Sequence, residues 1–80
     1  MFTVYVLHSE KFDKIYIGFT SDLESRMNSH NHLDTKGYTI NYRPWRVIYT
    51  EGFADKVSAI KREKELKSSN GRAFIRSLIA

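Results

Sequence analysis

Five residues of this 80-residue chain have side chains whose types and spacing could do chemistry together: Tyr5, Tyr16, Arg26, His30 and Glu63. An arginine stabilises the charge of a phosphorane-like transition state, a carboxylate holds one hard divalent cation, and a phenol or imidazole moves a proton. Together they form an inventory for phosphodiester hydrolysis. Spacing makes three of them notable. A helix advances about 100° per residue, so with Leu23 at zero, Met27 lies near about +40°, His30 near about −20° and Arg26 near about −60°. His30 therefore sits on an apolar stripe and Arg26 borders it. In a second helix with Ile60 at zero, Val57 lies near about +60°, Ala59 near about −100° and Leu66 near about −120°. That places the centre of the apolar arc near about −30°, with Glu63 inside it at about −60° and Glu65 outside it at about +140°. A carboxylate facing inward is costly unless it is paired, hydrogen-bonded or metal-bound. Each residue also has an ordinary reading: Glu63 as the partner of Arg26 in a buried ion pair, His30 as a satisfied core histidine, and the tyrosines as cross-strand packing.

The elements that must position these groups follow from the pattern of apolar residues. Residues 2–7, Phe-Thr-Val-Tyr-Val-Leu, are β-branched and aromatic and too few for a typical helix, so they read as a strand. His8 to Lys14 is polar and turn-like. Residues 15–19, Ile-Tyr-Ile-Gly-Phe, read as a second strand in a hairpin with the first. Gly18 inside that strand marks a bulge or a close approach by another group. Thr20, Ser21 and Asp22 offer caps for a helix over 23–30. Residues 31–44 lack periodicity and read as a long loop. Residues 45–50 read as a third strand, closed by Glu51-Gly52-Phe53. A helix over 54–67 follows, broken at Ser68-Ser69-Asn70-Gly71, with Asn70 as a cap for a last short helix marked by Phe74, Ile75, Leu78 and Ile79. The fold class is α+β, a three-stranded antiparallel sheet flanked by helices in the order ββαβαα, in one domain spanning 1–80.

Composition excludes several classes. There is no Cys, hence no disulfide scaffold, thiolate zinc site or cysteine nucleophile. No apolar run reaches the ~18–20 residues of a membrane span. The N-terminus lacks a basic segment before its short apolar stretch and reads as a strand rather than a signal peptide, so a cytoplasmic location is expected. Thirteen Lys and Arg against nine Asp and Glu give a net charge of +4. That surplus suits a polyanionic partner.

The motifs Val4-Tyr5-Val6, Tyr16-Ile17-Gly18, Arg26 with His30, and Glu63 resemble the GIY-YIG endonuclease domain, in particular the small stand-alone bacterial proteins that contain little else. The resemblance covers essentially the whole chain. The second half-motif is intact as Tyr16-Ile17-Gly18. The first is degenerate, since Thr3-Val4-Tyr5 keeps only the tyrosine. Leu23 to His30 matches the family's arginine helix, Ala59-Ile60-Lys61-Arg62-Glu63 matches the helix of the metal-binding glutamate, and Gly71-Arg72-Ala73-Phe74-Ile75 is similar to the tail of the small bacterial members. The resemblance implies that Glu63 ligates one Mg²⁺ or Mn²⁺, Tyr5 is the leading general base, Tyr16 hydrogen-bonds within the site, Arg26 binds the phosphate, and His30 orients the tyrosine or relays its proton. The lysine that many members carry soon after the second motif is absent from Phe19-Thr20-Ser21-Asp22.

The expected partner is DNA, with a protein partner for targeting and no membrane. Lys36, Arg43, Arg46, Lys56, Lys61 and Arg62 are candidate phosphate contacts, with Tyr38, Tyr42 and Trp45 as candidate stacking platforms. Two rival readings stand beside the nuclease. One is a catalytically weak or inactive nucleic-acid-binding or adaptor module that keeps the fold. The other is an interaction protein whose inward polar groups form only an ion-pair network.

Overall fold

The N-terminal run of β-branched and aromatic residues pairs with its neighbour as the pleat requires. In a computed structural model that describes residues 1–33 and 37–79, strand β1 spans Phe2–Ser9 and β2 spans Lys14–Thr20. They form an antiparallel hairpin with Tyr5 opposite Gly18 and Leu7 opposite Tyr16. The turn places Asp13 in the left-handed region at φ 51°, a conformation that Asp tolerates better than most residues. The Asp13 carboxylate lies 3.1 Å from His8 Nε2 and accepts from Arg76 Nη1 at 2.6 Å. These two partners, His8 first, hold its carboxyl below the usual range. Strand β3, Arg46–Phe53, pairs antiparallel with the other side of β1, giving the sheet order β2-β1-β3.

Register divides the side chains between two cores. Val4, Val6 and Ile17 point to one face, where they meet Ala59 and Leu66 of helix α2 (Lys56–Lys67) and Ile75 of helix α3 (Ser69–Ile79). Tyr5 and Leu7 point to the other face. There they meet Trp45, with Tyr16, Tyr42, and the Leu23 and Met27 of helix α1 (Leu23–Asn28), packed around them. The chain thus has an apolar back face and an aromatic front face on one sheet. Among the described residues no helix is long and apolar enough to cross a membrane.

The architecture and element order match the expectation, and four local readings change. Val57, expected on the buried arc, is 75% exposed. The residues of α2 that are fully buried are Ala59 and Leu66, so the inward direction is near about −110° on the scale above. Arg62 and Glu63 then flank it by about 50° on opposite sides. Second, Ser68, not Asn70, caps α3. Its Oγ accepts from Gly71 N at 3.3 Å and its carbonyl accepts from Arg72 N at 2.9 Å.

Third, the stretch read as a loop contains two further turns: a π-helical turn over Ser29–Leu33, which continues α1, and a 3-10 turn over Tyr38–Tyr42. The π turn is clamped by Arg43, whose Nε donates to His30 O at 2.6 Å and whose Nη2 donates to Ser29 O at 3.3 Å. Helix ends leave carbonyls without intrahelical donors, and a guanidinium is well suited to satisfy two of them. Asn31 fastens the same turn to the residue just before β3, accepting from Trp45 N at 2.7 Å and donating to Trp45 O at 3.2 Å. Fourth, Trp45 is not available for stacking on a base. It is 4% exposed and its Nε1 donates to Thr39 O at 2.8 Å.

Candidate active site

The front face gathers four of the five residues singled out for chemistry, Tyr5, Tyr16, Arg26 and His30. Tyr5, from the central strand, is 1% exposed. Its hydroxyl lies 2.9 Å from His30 Nε2, and His30 Nδ1 lies 3.2 Å from Thr39 Oγ1. The neutral imidazole with its proton on Nδ1 satisfies both contacts, donating to Thr39 and accepting from the phenol. His30 is the second residue of the π turn that continues α1, and it lies on the stripe that the α-helical period of Leu23 and Met27 already marks. Tyr16, from β2, packs its ring 4.9 Å from the His30 ring and 6.3 Å from that of Tyr5.

Arg26, from α1, is close enough to the Tyr5 phenol and, with a smaller effect, to that of Tyr16 for the two to keep its guanidinium more firmly charged. Burial pushes the Tyr5 phenol up to about 12, against the pull of Arg26, and the nearby Tyr16 and Glu63 add smaller upward pushes. At neutral pH, Tyr5 is therefore a neutral phenol that donates.

Gly18 explains why the strand has no side chain opposite Tyr5. A Cβ at that position would lie 2.8 Å from Tyr5 Oη, 3.0 Å from its Cζ and 3.2 Å from Tyr16 Cε2. The Gly18→Ala variant should fold, because the nearest atom is the tip of a side chain. Its phenol should swing off His30, and any activity that depends on the Tyr5–His30 contact should fall at least about tenfold, in line with 1 Å misplacements at reacting centres. Wild-type activity in Gly18→Ala, measured beside a thermal melt, would show that this contact is dispensable.

Glu63 comes from α2 on the back of the sheet and lies on its β2 flank. Its carboxylate is 18% exposed and accepts from Lys67 Nζ at 3.3 Å, one helical turn on. The partner expected from the sequence, Arg26, is instead committed to the tyrosines. Glu63 is still near enough to Tyr5 to oppose its ionisation. Among the described residues, no three His, Cys, Asp or Glu side chains converge as a metal cage. One carboxylate with open positions fits a hard divalent ion that keeps most of its waters, rather than a fully protein-ligated metal.

Of the six basic residues expected to hold substrate, the five described ones are dispersed, with Lys56 exposed at the start of α2. Arg43 clamps the π turn. Arg46 is exposed on β3, 3.6 Å from Glu10. Arg62 lies on the opposite flank of α2 from Glu63, 3.3 Å from Glu51, and its contact with Tyr49 holds its charge more firmly. Lys61 is exposed on the outer side of α2. Lys36 lies outside the described residues.

Sequence reasoning missed three residues. Thr39 orients His30, and nothing in its surroundings marks it. Lys67 and Arg72 line a pocket of about 310 Å³ with Tyr16 and Tyr38. Lys67 is foreshadowed only by standing four residues after Glu63.

Comparison with known proteins places these motifs in a family. The family described as "GIY-YIG catalytic domain" matches residues 1–75. The chain is 38% identical over 58 residues to a UPF0213 protein of Staphylococcus saprophyticus, covering 72% of this chain and 71% of that one. It is 35% identical over 65 residues to a UPF0213 protein of the archaeon Natronomonas pharaonis, covering 81% and 75%. Its fold is similar to the solution structure of a UPF0213 protein from Bacillus halodurans, with a TM-score of 0.56 and 30% identity over 98% of this chain and 85% of that one.

Proposed function

Because the chain belongs to the GIY-YIG family, whose members are generally endonucleases, we propose that it is a metal-dependent endonuclease that hydrolyses DNA phosphodiester bonds. The observation that carries this reading is the Tyr5–His30–Thr39 hydrogen-bond chain with Arg26 set against both phenols. A proton path ending beside a fixed cation is what water attack on a phosphate diester requires.

The residues take the following roles. Arg26 binds the non-bridging oxygens of the scissile phosphate and stabilises the charge that grows on them. A water attacks phosphorus and gives its proton to Tyr5 Oη as the phenol passes its own proton to His30 Nε2, while the P–O3′ bond breaks and the departing 3′ oxygen takes a proton from solvent. Tyr5 is thus a relay and never a standing phenolate, consistent with a pKa near 12. Thr39 holds the imidazole in the tautomer that can accept. Tyr16 fixes the positions of Arg26 and the His30 ring. Glu63 holds a single Mg²⁺ or Mn²⁺, which when bound supplies Lewis-acid polarisation of the phosphate and stabilises the leaving oxygen. Lys67 must let go of Glu63 for that to happen. Arg43, Arg46, Lys61 and Arg62 contribute general attraction for the DNA backbone, and a protein partner supplies targeting.

The test is cleavage of single-stranded, duplex, flapped and branched DNA, and of RNA, with Mg²⁺ or Mn²⁺. The expected result is metal-dependent cleavage of DNA that falls at least about a hundredfold in Glu63→Gln, together with loss of Mn²⁺ binding by titration. Cleavage that survives this substitution would refute the assigned site. One observation favours the rival non-catalytic module: Lys67 already neutralises Glu63. An absence of Mn²⁺ binding in wild type would decide for it.

A further inference from the structure

The described chain carries a second, unassigned feature beside the tyrosines. The pocket of about 310 Å³ on the β2 side is walled by Tyr16 and Tyr38, floored by Ile15 and Ile17, and rimmed by Lys67 and Arg72. Its walls and rim differ in chemistry. Tyr38 is 43% exposed. Its ring is braced edge-on by Tyr42 at 5.0 Å and tilted against Trp45 at 6.0 Å. A braced ring presents its surface without losing further side-chain freedom on binding. The rim carries two cations and no carboxylate. Lys67 is also the partner of Glu63, so the rim adjoins the proposed cation site. Arg72 is anchored by its Nε, which donates to Lys67 O at 3.1 Å, and this holds its guanidinium over the pocket.

We propose that this pocket is a subsite for one unpaired nucleotide next to the scissile phosphate, its base stacked on Tyr38 and its phosphate held by Lys67 and Arg72. The substrate class is then DNA with unpaired bases at the cleavage point, such as a single strand or a flap. A paired base is buried in its own stack and cannot meet an aromatic wall edge or face, whereas an unpaired base of any identity can. The subsite therefore selects for strand structure and not for sequence. It also gives Lys67 a destination: released from Glu63 by a divalent ion, its ammonium lies next to the phosphate it would bind. The proposal rests on the nuclease reading for its position beside the scissile bond, but the binding it describes needs no cleavage.

The experiment measures binding of a fluorescent oligothymidylate and of a blunt duplex of equal length by anisotropy, with the Glu63→Gln variant and without divalent metal. A 2-aminopurine base in the strand reports stacking through its quenching. The expected result is tighter binding of the single strand than of the duplex, with quenching. Binding should weaken about tenfold in Tyr38→Ala, return in Tyr38→Trp, and weaken in Arg72→Gln with the quenching of the bound strand retained. Thermal melts show whether each variant is folded, and an abasic nucleotide serves as a probe of the base independent of any protein change. Equal affinity for duplex and single strand, or a Tyr38→Ala variant that is folded and binds and quenches like its parent, would overturn the subsite. These outcomes separate from the nuclease reading, since wild type that cleaves duplex without this preference keeps the enzyme and loses the subsite, and preference without cleavage does the reverse.

Discussion

Tyr5→Phe should fold like the wild type and lose about 10²–10⁴-fold in cleavage rate, the range of a positioned proton-transfer group. The ring stays packed against Leu7 and Trp45, so the apolar content of the front core is unchanged. What goes is one hydroxyl. His30 Nε2 then loses the donor 2.9 Å away, and the loss of one hydrogen bond costs about 0.5–1.5 kcal/mol. A modest fall in melting temperature should therefore accompany a large fall in rate.

Two pH effects distinguish a relay from a phenolate base. Burial holds the Tyr5 proton until about pH 12, so a relay works well below the pH at which the phenol ionises and should fail in His30→Gln, whose side chain cannot take up the proton. A wild-type rate that climbs only above pH 10 would instead mean that the phenolate is the base. Stability responds in the alkaline range. The folded phenol keeps its proton while the unfolded one ionises from its ordinary value of 10.0 upward, so the unfolded state binds fewer protons and stability falls as pH rises from about 10 to about 12. Tyr5→Phe should flatten that slope in thermal melts.

Gly71→Ala should be the most damaging single-methyl change to the fold. Gly71 lies where α3 begins, against the last turn of α2, and an added Cβ would overlap the Glu65 carbonyl oxygen and the Leu66 backbone. These are backbone atoms and cannot rotate aside as the Tyr5 hydroxyl can. The crossing must open, taking Ile75 away from Ala59 and Leu66 in the back core. Overpacking costs about 1–3 kcal/mol, occasionally more, and a clash with backbone belongs at the upper end. Such a loss of about 3 kcal/mol lowers the melting temperature by roughly 15 °C in a domain of this size. It is a large fraction of the few kcal/mol that hold so small a domain together. A melt within about 3 °C of wild type would mean that the α2–α3 crossing takes up the methyl without opening.

The strands and the hairpin were legible because their signals are local. Phe2 to Leu7 and Ile15 to Phe19 are β-branched and aromatic, with turn residues between them. The phase of α2 was legible only in part. It has few apolar residues and many charged ones, so Val57 and Ile60 drew the inward direction away from Ala59 and Leu66. Burial of a residue as small as Ala59 is decided by how closely the helix approaches the sheet, and periodicity does not contain that distance. Glu63 came out on the inward side under either phase, but its partner did not. Lys67 lies one turn away in the same helix, and Arg26 is occupied by tyrosines from two strands.

The residue types, their order and their spacing within each element were determined by the sequence alone. That is enough to read the ββαβαα architecture and to select Tyr5, Tyr16, Arg26, His30 and Glu63, because helix and strand periods are properties of a short stretch of backbone. The tertiary structure decided which faces meet. Pairing Tyr5 with Gly18 turns both tyrosines to the front, whereas a slip of one residue would turn one strand's set to the back. Only the packed chain brings Thr39 to His30, Arg43 to the π turn, and Lys67 and Arg72 to the rim of a pocket beside Tyr16. Those contacts join different elements, nine or more residues apart, and the free energy that selects them comes from burying the two cores together, which no local pattern records.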